Sequence, residues 1–460
     1  MAGPTEDTTL SIAAEALGSA AFRRDYGVRL AYTAGSMYQG IASESMVLAL
    51  ANAGLLGFFG SGGLSFESVE EAIATIQGGL PGTASYGMNL LSEGRPDAER
   101  RLIDLYLERG VRNVEASAFL RITAPLVLFR LRGLRRNAEG DVIARQRVIA
   151  KASRREVAEA FMSPPPLAIA RSLHEAGDIT AEELELSQQI PLAQDVCVEA
   201  DSGGHTDQGV AFTLVPTIVA LRNEIMQRHR YRSLIRVGAA GGIGTPEAVA
   251  AAFILGADFV TTGSVNQCTV EAGTSDAVKD LLQGMDIHDT AYAPAGDLFE
   301  MGSRVQVLKK GLLFPARANR LFDLYRQYDS LEALPAGTRE TLEKYFRRTL
   351  DEVWEETRAF YARYRPEELE RAERTPKARM ALVFRWYFVQ TNRLARSGGP
   401  QPNVDYQIHC GPALGAFNRW VRGTNLENWR SRHVAVIADR LMSGAAQVLS
   451  LRLAALTRNA

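Results

Sequence analysis

A parallel α/β barrel with a helical subdomain toward its C-terminus is the fold this sequence predicts, on three observations. Eight short apolar or small-residue runs between about Val28 and Val265 each end in a turn signal. Helical patterns separate most of them, and the last two runs end in glycine loops. Near-continuous apolar runs suit strands buried on both faces of a parallel sheet. Eight such strands alternating with helices over roughly 240 to 270 residues fit a (β/α)8 barrel. An open doubly wound sheet is the competing arrangement, and it would need fewer strands or a clear topological switch.

In order, the runs are RLAYTAG from Arg29, LLGFFGSGG from Leu55, TASYGMNL from Thr83, VEASAF from Val114, VIAKAS from Val148, VCVEADSGG from Val196, LIRVGAAGG from Leu234 and FVTTGS from Phe259. The intervening helical patterns include SESMVLALANAG (43–54), PDAERRLIDLYLERG (96–110) and FTLVPTIVALRNEIMQRH (212–229). After the seventh run Thr245 reads as an N-cap, Pro246 suits the first helical position and Gly256 the C′ position. Residues 1–300 are therefore assigned to the barrel. From Met301 to Pro402 the composition turns to Arg, Glu and aromatics, with helical periodicity and no strand signal. That stretch predicts a helical insertion or lid, and RSGGPQPN (396–403) reads as a linker. Residues 403–460 return to an apolar pattern, with one long helix over 434–456 expected to pack back on the barrel.

Composition narrows the function. The 460 residues are 46% hydrophobic and 23% charged, the balance of a globular protein with ample core. With 52 basic and 53 acidic residues the formal net charge is −1, which argues against nucleic-acid or anionic-membrane partners. Acids near the start, without an apolar stretch of signal-peptide length, argue against secretion, and no uninterrupted apolar run is long enough to span a bilayer. Three widely spaced cysteines, Cys197, Cys268 and Cys410, form neither a disulfide framework nor a zinc site. No metal is expected, and the expected compartment is the cytoplasm.

The chemistry-bearing residues sit at the ends of the runs. Loops after the seventh and eighth strands of a barrel often bind phosphate. Here they are AAGGIG (239–244) and TTGS (261–264). Glycine amides reach phosphate oxygens with no Cβ in the way, and Ser264 or Thr262 adds a hydroxyl. The plainer alternative is that these glycines only make turns. His205, in EADSGGHTD just past the sixth run, can exchange a proton near neutrality. The other five histidines (His174, His229, His288, His409, His433) read as ordinary surface residues. Lys151, near the end of the apolar run VIAKAS, is costly unless it faces an anion or the barrel mouth. The alternative is a lysine snorkelling to solvent. Asn89 and Ser117 end two further strands with small polar groups.

The ordered set TAGSMYQG, GMNL, VEASAF, IAKASRREVA, ADSGGHTD, RVGAAGGIGTPEA and DFVTTGSVNQ resembles the FMN-dependent nitronate monooxygenase and enoyl-reductase superfamily. SGGHTD together with DYQIHCGPALGAFNRWVRGT is similar to its PfaD/PksE-like trans-acting enoyl reductases of polyketide and polyunsaturated fatty acid synthases. The resemblance implies a TIM barrel in which Ala34, Gly35, Ser36 and Met37 line the flavin and Asn89, Ser117 and Lys151 contact its ring. Gly203, Gly204, Gly241, Gly242, Gly263 and Ser264 would hold its phosphate. It further implies His205 as proton donor and Lys151 as a cation favouring the reduced ring. NADPH would be the reductant, and the substrate an enoyl thioester on the acyl carrier protein of a polyketide synthase. Lys309, Lys310, Arg317 and Arg320 would then meet an acidic carrier surface, the alternative being a solvated helix face. The chain departs from that subgroup at His409, where a Trp precedes the CGP. A nitronate monooxygenase and a non-catalytic flavin- or carrier-binding synthase subunit are the alternatives, and a homodimer is compatible with either.

Overall fold

Eight parallel strands close on one another with no free edge: β1 (Tyr32–Ala34), β2 (Leu56–Phe59), β3 (Gly87–Leu91), β4 (Asn113–Ser117), β5 (Arg147–Ala152), β6 (Asp195–Glu199), β7 (Arg236–Ala240) and β8 (Phe259–Thr262). Each of the eight runs read from the sequence supplies one of them. The structure is a computed structural model that describes residues 11–92, 94–399 and 404–458. Its chain divides into two compact units. Unit 1 comprises Met1–Ser202, Asp207–Gly273 and Ala416–Ala460, and unit 2 comprises Gly203–Thr206 and Thr274–Gly415.

In unit 1 every neighbouring strand pair is parallel, and β8 closes the ring on β1 through Tyr32↔Val260 and Ala34↔Thr262. The lower barrel is filled by an apolar cluster that includes Phe22, Leu56, Phe58, Ile149, Cys197 and Phe259. Gly238 has no side chain because the ring of Phe259, on the adjacent strand, occupies that space. At the N-terminal end a buried ion pair joins the first residues of β6 and β7. Arg236 Nε lies 2.5 Å from Asp195 Oδ1, and the two side chains are 2% and 0% exposed. Asp195 Oδ2 also accepts from Arg236 at 2.9 Å and from the Tyr26 hydroxyl at 2.8 Å.

The helix after β7 forms as the sequence predicts. Thr245 Oγ accepts from the Ala248 N–H, Pro246 opens the helix Pro246–Ile254, and Gly256 turns the chain at φ +98°. The last helix, Val434–Arg458, packs on it. A Cβ on Gly444 would stand 2.6 Å from Pro246 Cγ, so only glycine allows this approach. An Arg29–Asp439 ion pair adds a polar tie. Among the described residues Val434–Thr457 is the one stretch long and apolar enough to cross a membrane by length and mean hydropathy. Part of that stretch is buried, where it packs on the barrel helix.

Unit 2 contains a hairpin, β9 (Thr290–Pro294) with β10 (Arg304–Leu308), and helices including 314–327, 336–346, 350–364, 366–374 and 376–397. Its core centres on Phe299, whose ring meets those of Phe322, Tyr325, Phe384 and Phe388. The sequence showed no strand after 301, yet β10 lies there. RVQVL alternates over only five residues, and antiparallel pairing with β9 completes it. The change of texture at 301 marks where helices dominate, whereas unit 2 starts at Thr274 and also takes in residues 203–206. Of the expected linker, 400–403 lie outside the described residues.

Breaking a buried pair strands the remaining charge. Arg236→Met should destabilise the protein by about 3–5 kcal/mol, seen as a lower urea midpoint at an unchanged slope. A shift of only a few tenths would mean the pair is not part of the barrel's foundation.

Candidate active site

The C-terminal ends of the barrel strands gather charge within unit 1. Lys151, the fifth residue of β5, places Nζ 2.7 Å from Oε1 of Glu199, the last residue of β6. From β4, Glu115 is 1% exposed. Its Oε2 accepts from the Ser36 N–H at 3.0 Å and from the Ser36 hydroxyl. Burial works against the lysine charge, but Glu199 and Glu115 outweigh it and hold the Lys151 pKa above its usual value. Lys151 is therefore a paired ammonium, and it does not snorkel. For Glu115 burial dominates: it pushes the carboxyl up further than Lys151 and Ser36 pull it down.

The neighbouring strands brace this group. Asn89 Nδ2 donates to the Glu115 carbonyl and to Ser117 Oγ, both at 3.0 Å. Ala34 ends β1, and the Gly35 N–H bonds the Thr262 carbonyl at 3.0 Å. The Met37 carbonyl accepts from the Ala42 N–H at 3.4 Å. Below them Cys197 Sγ contacts Thr261 Oγ at 3.3 Å, and burial pushes its thiol up to about 12, so it stays protonated. The structure thus brings Ser36, Asn89, Ser117 and Lys151 together. It adds Glu115 and Glu199, which the sequence reading missed.

The glycine loops lie at the ends of β7 and β8. Gly241 and Gly242 have φ of +87° and +73°, a left-handed turn that favours glycine. A Cβ on Gly241 would stand 2.5 Å from the Ala200 carbonyl oxygen, whereas at Gly242 and Gly263 it would meet nothing within 4 Å. Backbone amides beside open space are what a phosphate needs. Ser264 follows directly. The sequence offered the Thr262 hydroxyl, as an alternative to that of Ser264, for phosphate, but the structure engages it elsewhere. It is buried, 2.5 Å from the Tyr32 hydroxyl, and accepts from Asn266 Nδ2 at 2.9 Å, so it braces the loop.

His205 belongs to unit 2 with Gly203 and Gly204. The short strand Gly204–His205 pairs with β10 through Val305↔His205 and Gln306↔Gly204. His205 Nε2 lies 2.9 Å from Asp297 Oδ1. His409 bridges to Val307 of the same strand β10. Burial, then the nearby His205, push the His409 pKa down to about 4, against Asp297, which raises it. It is neutral, with its Nε2 2.7 Å from Gln407 Nε2. His409 is therefore not the ordinary surface histidine expected. Of the four basic residues considered for a partner surface, Arg317 is engaged, 2.5 Å from Asp405 and over the Tyr345 ring. Lys309, Lys310 and Arg320 are exposed, although Lys310 also donates to the Gly284 carbonyl.

An ammonium among carboxylates, and glycine loops with open space at Gly242 and Gly263, stand at the C-terminal ends of the strands, the end at which barrels of this kind carry their active sites. Residues 31–297 match the nitronate monooxygenase family, and residues 328–406 match the inserted helical domain of acyl-carrier-protein S-malonyltransferase. The chain is 55% identical over 444 residues to the polyketide biosynthesis protein PksE of Bacillus subtilis, spanning 96% of this chain and 58% of that one. It is 51% identical over 439 residues to the polyketide biosynthesis protein ThaF of Burkholderia thailandensis, spanning 95% of this chain but 38% of that protein. The chain thus spans less than two thirds of either relative. Among solved structures, the enoyl reductase domain of MlnA from the macrolactin cluster of Bacillus amyloliquefaciens superposes with a TM-score of 0.92. It is 47% identical, covering 95% of this chain and 99% of that one. The chain belongs to the nitronate monooxygenase family, in the branch that includes PksE, ThaF and the MlnA domain.

Glu115 gives the site a pH signature. Its folded pKa is raised, so its contribution to stability is complete below the ordinary carboxylate value and is lost as pH rises through the higher folded value. As pH rises from the ordinary carboxylate value of about 4 toward the raised folded value, the wild type should therefore lose stability relative to Glu115→Gln. Urea titrations of both proteins at each pH measure this, and a pH-independent difference would contradict the assignment.

Proposed function

We propose that this chain reduces the α,β-double bond of enoyl thioesters carried on an acyl carrier protein, with FMN as cofactor and NADPH as reductant, in polyketide or polyunsaturated fatty acid biosynthesis. The observation that carries the reading is the match to the MlnA enoyl reductase domain, 47% identical across 99% of its length. The residues present suit FMN. Gly242 and Gly263 lie beside open space, and with Gly241 and Ser264 they would offer amides to the ribityl phosphate. Ala34, Gly35, Ser36, Met37, Asn89 and Ser117, at the ends of β1, β3 and β4, would line the ring. When bound, FMN supplies the hydride that NADPH delivers.

The chain's own residues supply the rest. Lys151 is a fixed cation whose field favours negative charge near it, including that of a reduced ring. Once hydride has reached Cβ of the substrate, negative charge lies on the thioester oxygen and Cα requires a proton. His205 gives that proton. The carrier would meet a surface that includes Lys309, Lys310 and Arg320. The match of residues 328–406 to a helical domain of acyl-carrier-protein S-malonyltransferase supports such a partner.

Three measurements test this. NADPH oxidation that depends on a crotonyl-type thioester and consumes no oxygen supports the reductase; oxygen uptake with a nitronate and no thioester reduction would assign a nitronate monooxygenase. His205→Ala should remain yellow but reduce the thioester about a hundredfold more slowly, and an unchanged rate removes His205 from the reaction. Gly242→Val puts a side chain into the phosphate space and should give colourless protein, so full flavin content in that variant would exclude the cradle.

A further inference from the structure

We propose that Asp297 is a positioning residue for His205: it takes the Nε2 proton into a hydrogen bond and so makes Nδ1 the nitrogen that hands a proton to substrate. The inference rests on the reductase reading for the identity of that substrate. It rests on unit 2 alone for its geometry.

His205 is fixed by its backbone. It pairs with Val305, and the next residue, Thr206, donates its N–H to the Arg304 carbonyl at 3.2 Å. Asp297 is fixed just past β9. The Ala295 N–H bonds the Ser303 carbonyl at 2.8 Å, and a Cβ on Gly296 would stand 2.6 Å from Phe388 Cβ. The side chains meet at 2.9 Å. Partial desolvation pushes the Asp297 carboxyl up, although its side chain is 59% exposed, but the hydrogen bond and charge of His205 outweigh it and leave the carboxyl below its usual range. Asp297 is therefore an anion at neutral pH.

A carboxylate only accepts hydrogen bonds, so Nε2 must carry the shared proton. The neutral ring is then the Nε2–H tautomer, and the imidazolium adds its second proton at Nδ1. Other titratable or charged groups also face this pair. His409 lies on the neighbouring segment and is neutral. Arg304 on β10 directs its guanidinium to Asn319 Oδ1 at 3.2 Å. Cys410 backs onto Gly203, where a Cβ would stand 2.6 Å from the Cys410 Cα. Asp297 is thus an anion hydrogen-bonded to His205. In the transfer, the Nδ1–H bond breaks and a Cα–H bond forms, cancelling the substrate's negative charge. The ring becomes neutral with Nε2–H still on Asp297, and water returns a proton to Nδ1.

The test uses the full chain labelled with 15N-histidine, with the His205 signals assigned from His205→Gln. In the wild type the neutral ring should be the Nε2–H tautomer. Asp297→Asn should lower the His205 midpoint by about one pH unit, because an opposite charge is removed, and Asp297→Glu should restore it. In turnover, Asp297→Asn should lower kcat about tenfold at neutral pH with KM unchanged. The limb on which activity falls with rising pH should move down by about the same pH interval. An unchanged midpoint and tautomer in Asp297→Asn would overturn the proposal. Absence of thioester reduction in the wild type alongside a shifted midpoint would instead overturn the reductase reading and leave the His205–Asp297 pairing standing.

Discussion

One ammonium group organises the mouth of the barrel. A lone charge among buried strands costs several kcal/mol, and at 2.7 Å with an effective dielectric near 20 the attraction of Lys151 to Glu199 is about 6 kcal/mol. That is enough to hold the charge in place, but only if the two strands keep their register. Lys151 is opposite Cys197 in the β5–β6 pairing and Glu115 is opposite Ile149 in β4–β5. Because side chains alternate, a slip of one residue would turn each of them out of the barrel. Glu115 then extends the constraint to the loop after β1 through Ser36, and Asn89 ties β3 to β4. The polar mouth is one connected structure across five strands.

The same strands carry charge at their other end to a different purpose. β6 begins with Asp195 and ends with Glu199. At the bottom Asp195 and Arg236 pair out of water, with Tyr26 donating to Asp195 and Asp25 accepting from Arg236. At the top the charges stay partly open, with Glu199 27% exposed and open space beside Gly242. Closed pairing at the N-terminal end supports the fold, and unfinished pairing at the C-terminal end is available for chemistry.

The eight barrel strands were legible because burial on both faces leaves an almost unbroken apolar run in the sequence. Lys151 stood out for the same reason, as a cation inside such a run. Glu115 in VEASAF and Glu199 in VCVEAD obey the identical rule and could have been found by it, but an acid near a strand end passes easily for the start of a solvated loop. Asp297 could not be found that way. It is 92 residues from His205 in the chain, and only the pairing of Gly204–His205 with β10 brings them together. β10 is itself five residues of short alternation, completed by a partner. His409 read as a surface residue because its bridge to Val307 also joins positions far apart in sequence.

The loop that carries His205 shows why glycines precede the histidine. Its two ends are joined in unit 1, where the Asp201 N–H bonds the Gly209 carbonyl at 2.8 Å and Asp207 pairs with Arg154 at 2.7 Å. Its tip is ordered in unit 2 by two residues of strand. Between these anchors the backbone must turn sharply, with Gly204 at φ +87° and Gln208 at φ +59°. Gly203 must also lie flat against Cys410, leaving no space for a side chain. Fixing such a loop costs about 1–2 kcal/mol of backbone entropy per residue, which contacts along its length must offset. The strand pairing with β10 and the Asp297 contact supply the missing restraint. A histidine on an untethered glycine loop would sample many orientations; here the sheet sets the backbone and the carboxylate sets the ring.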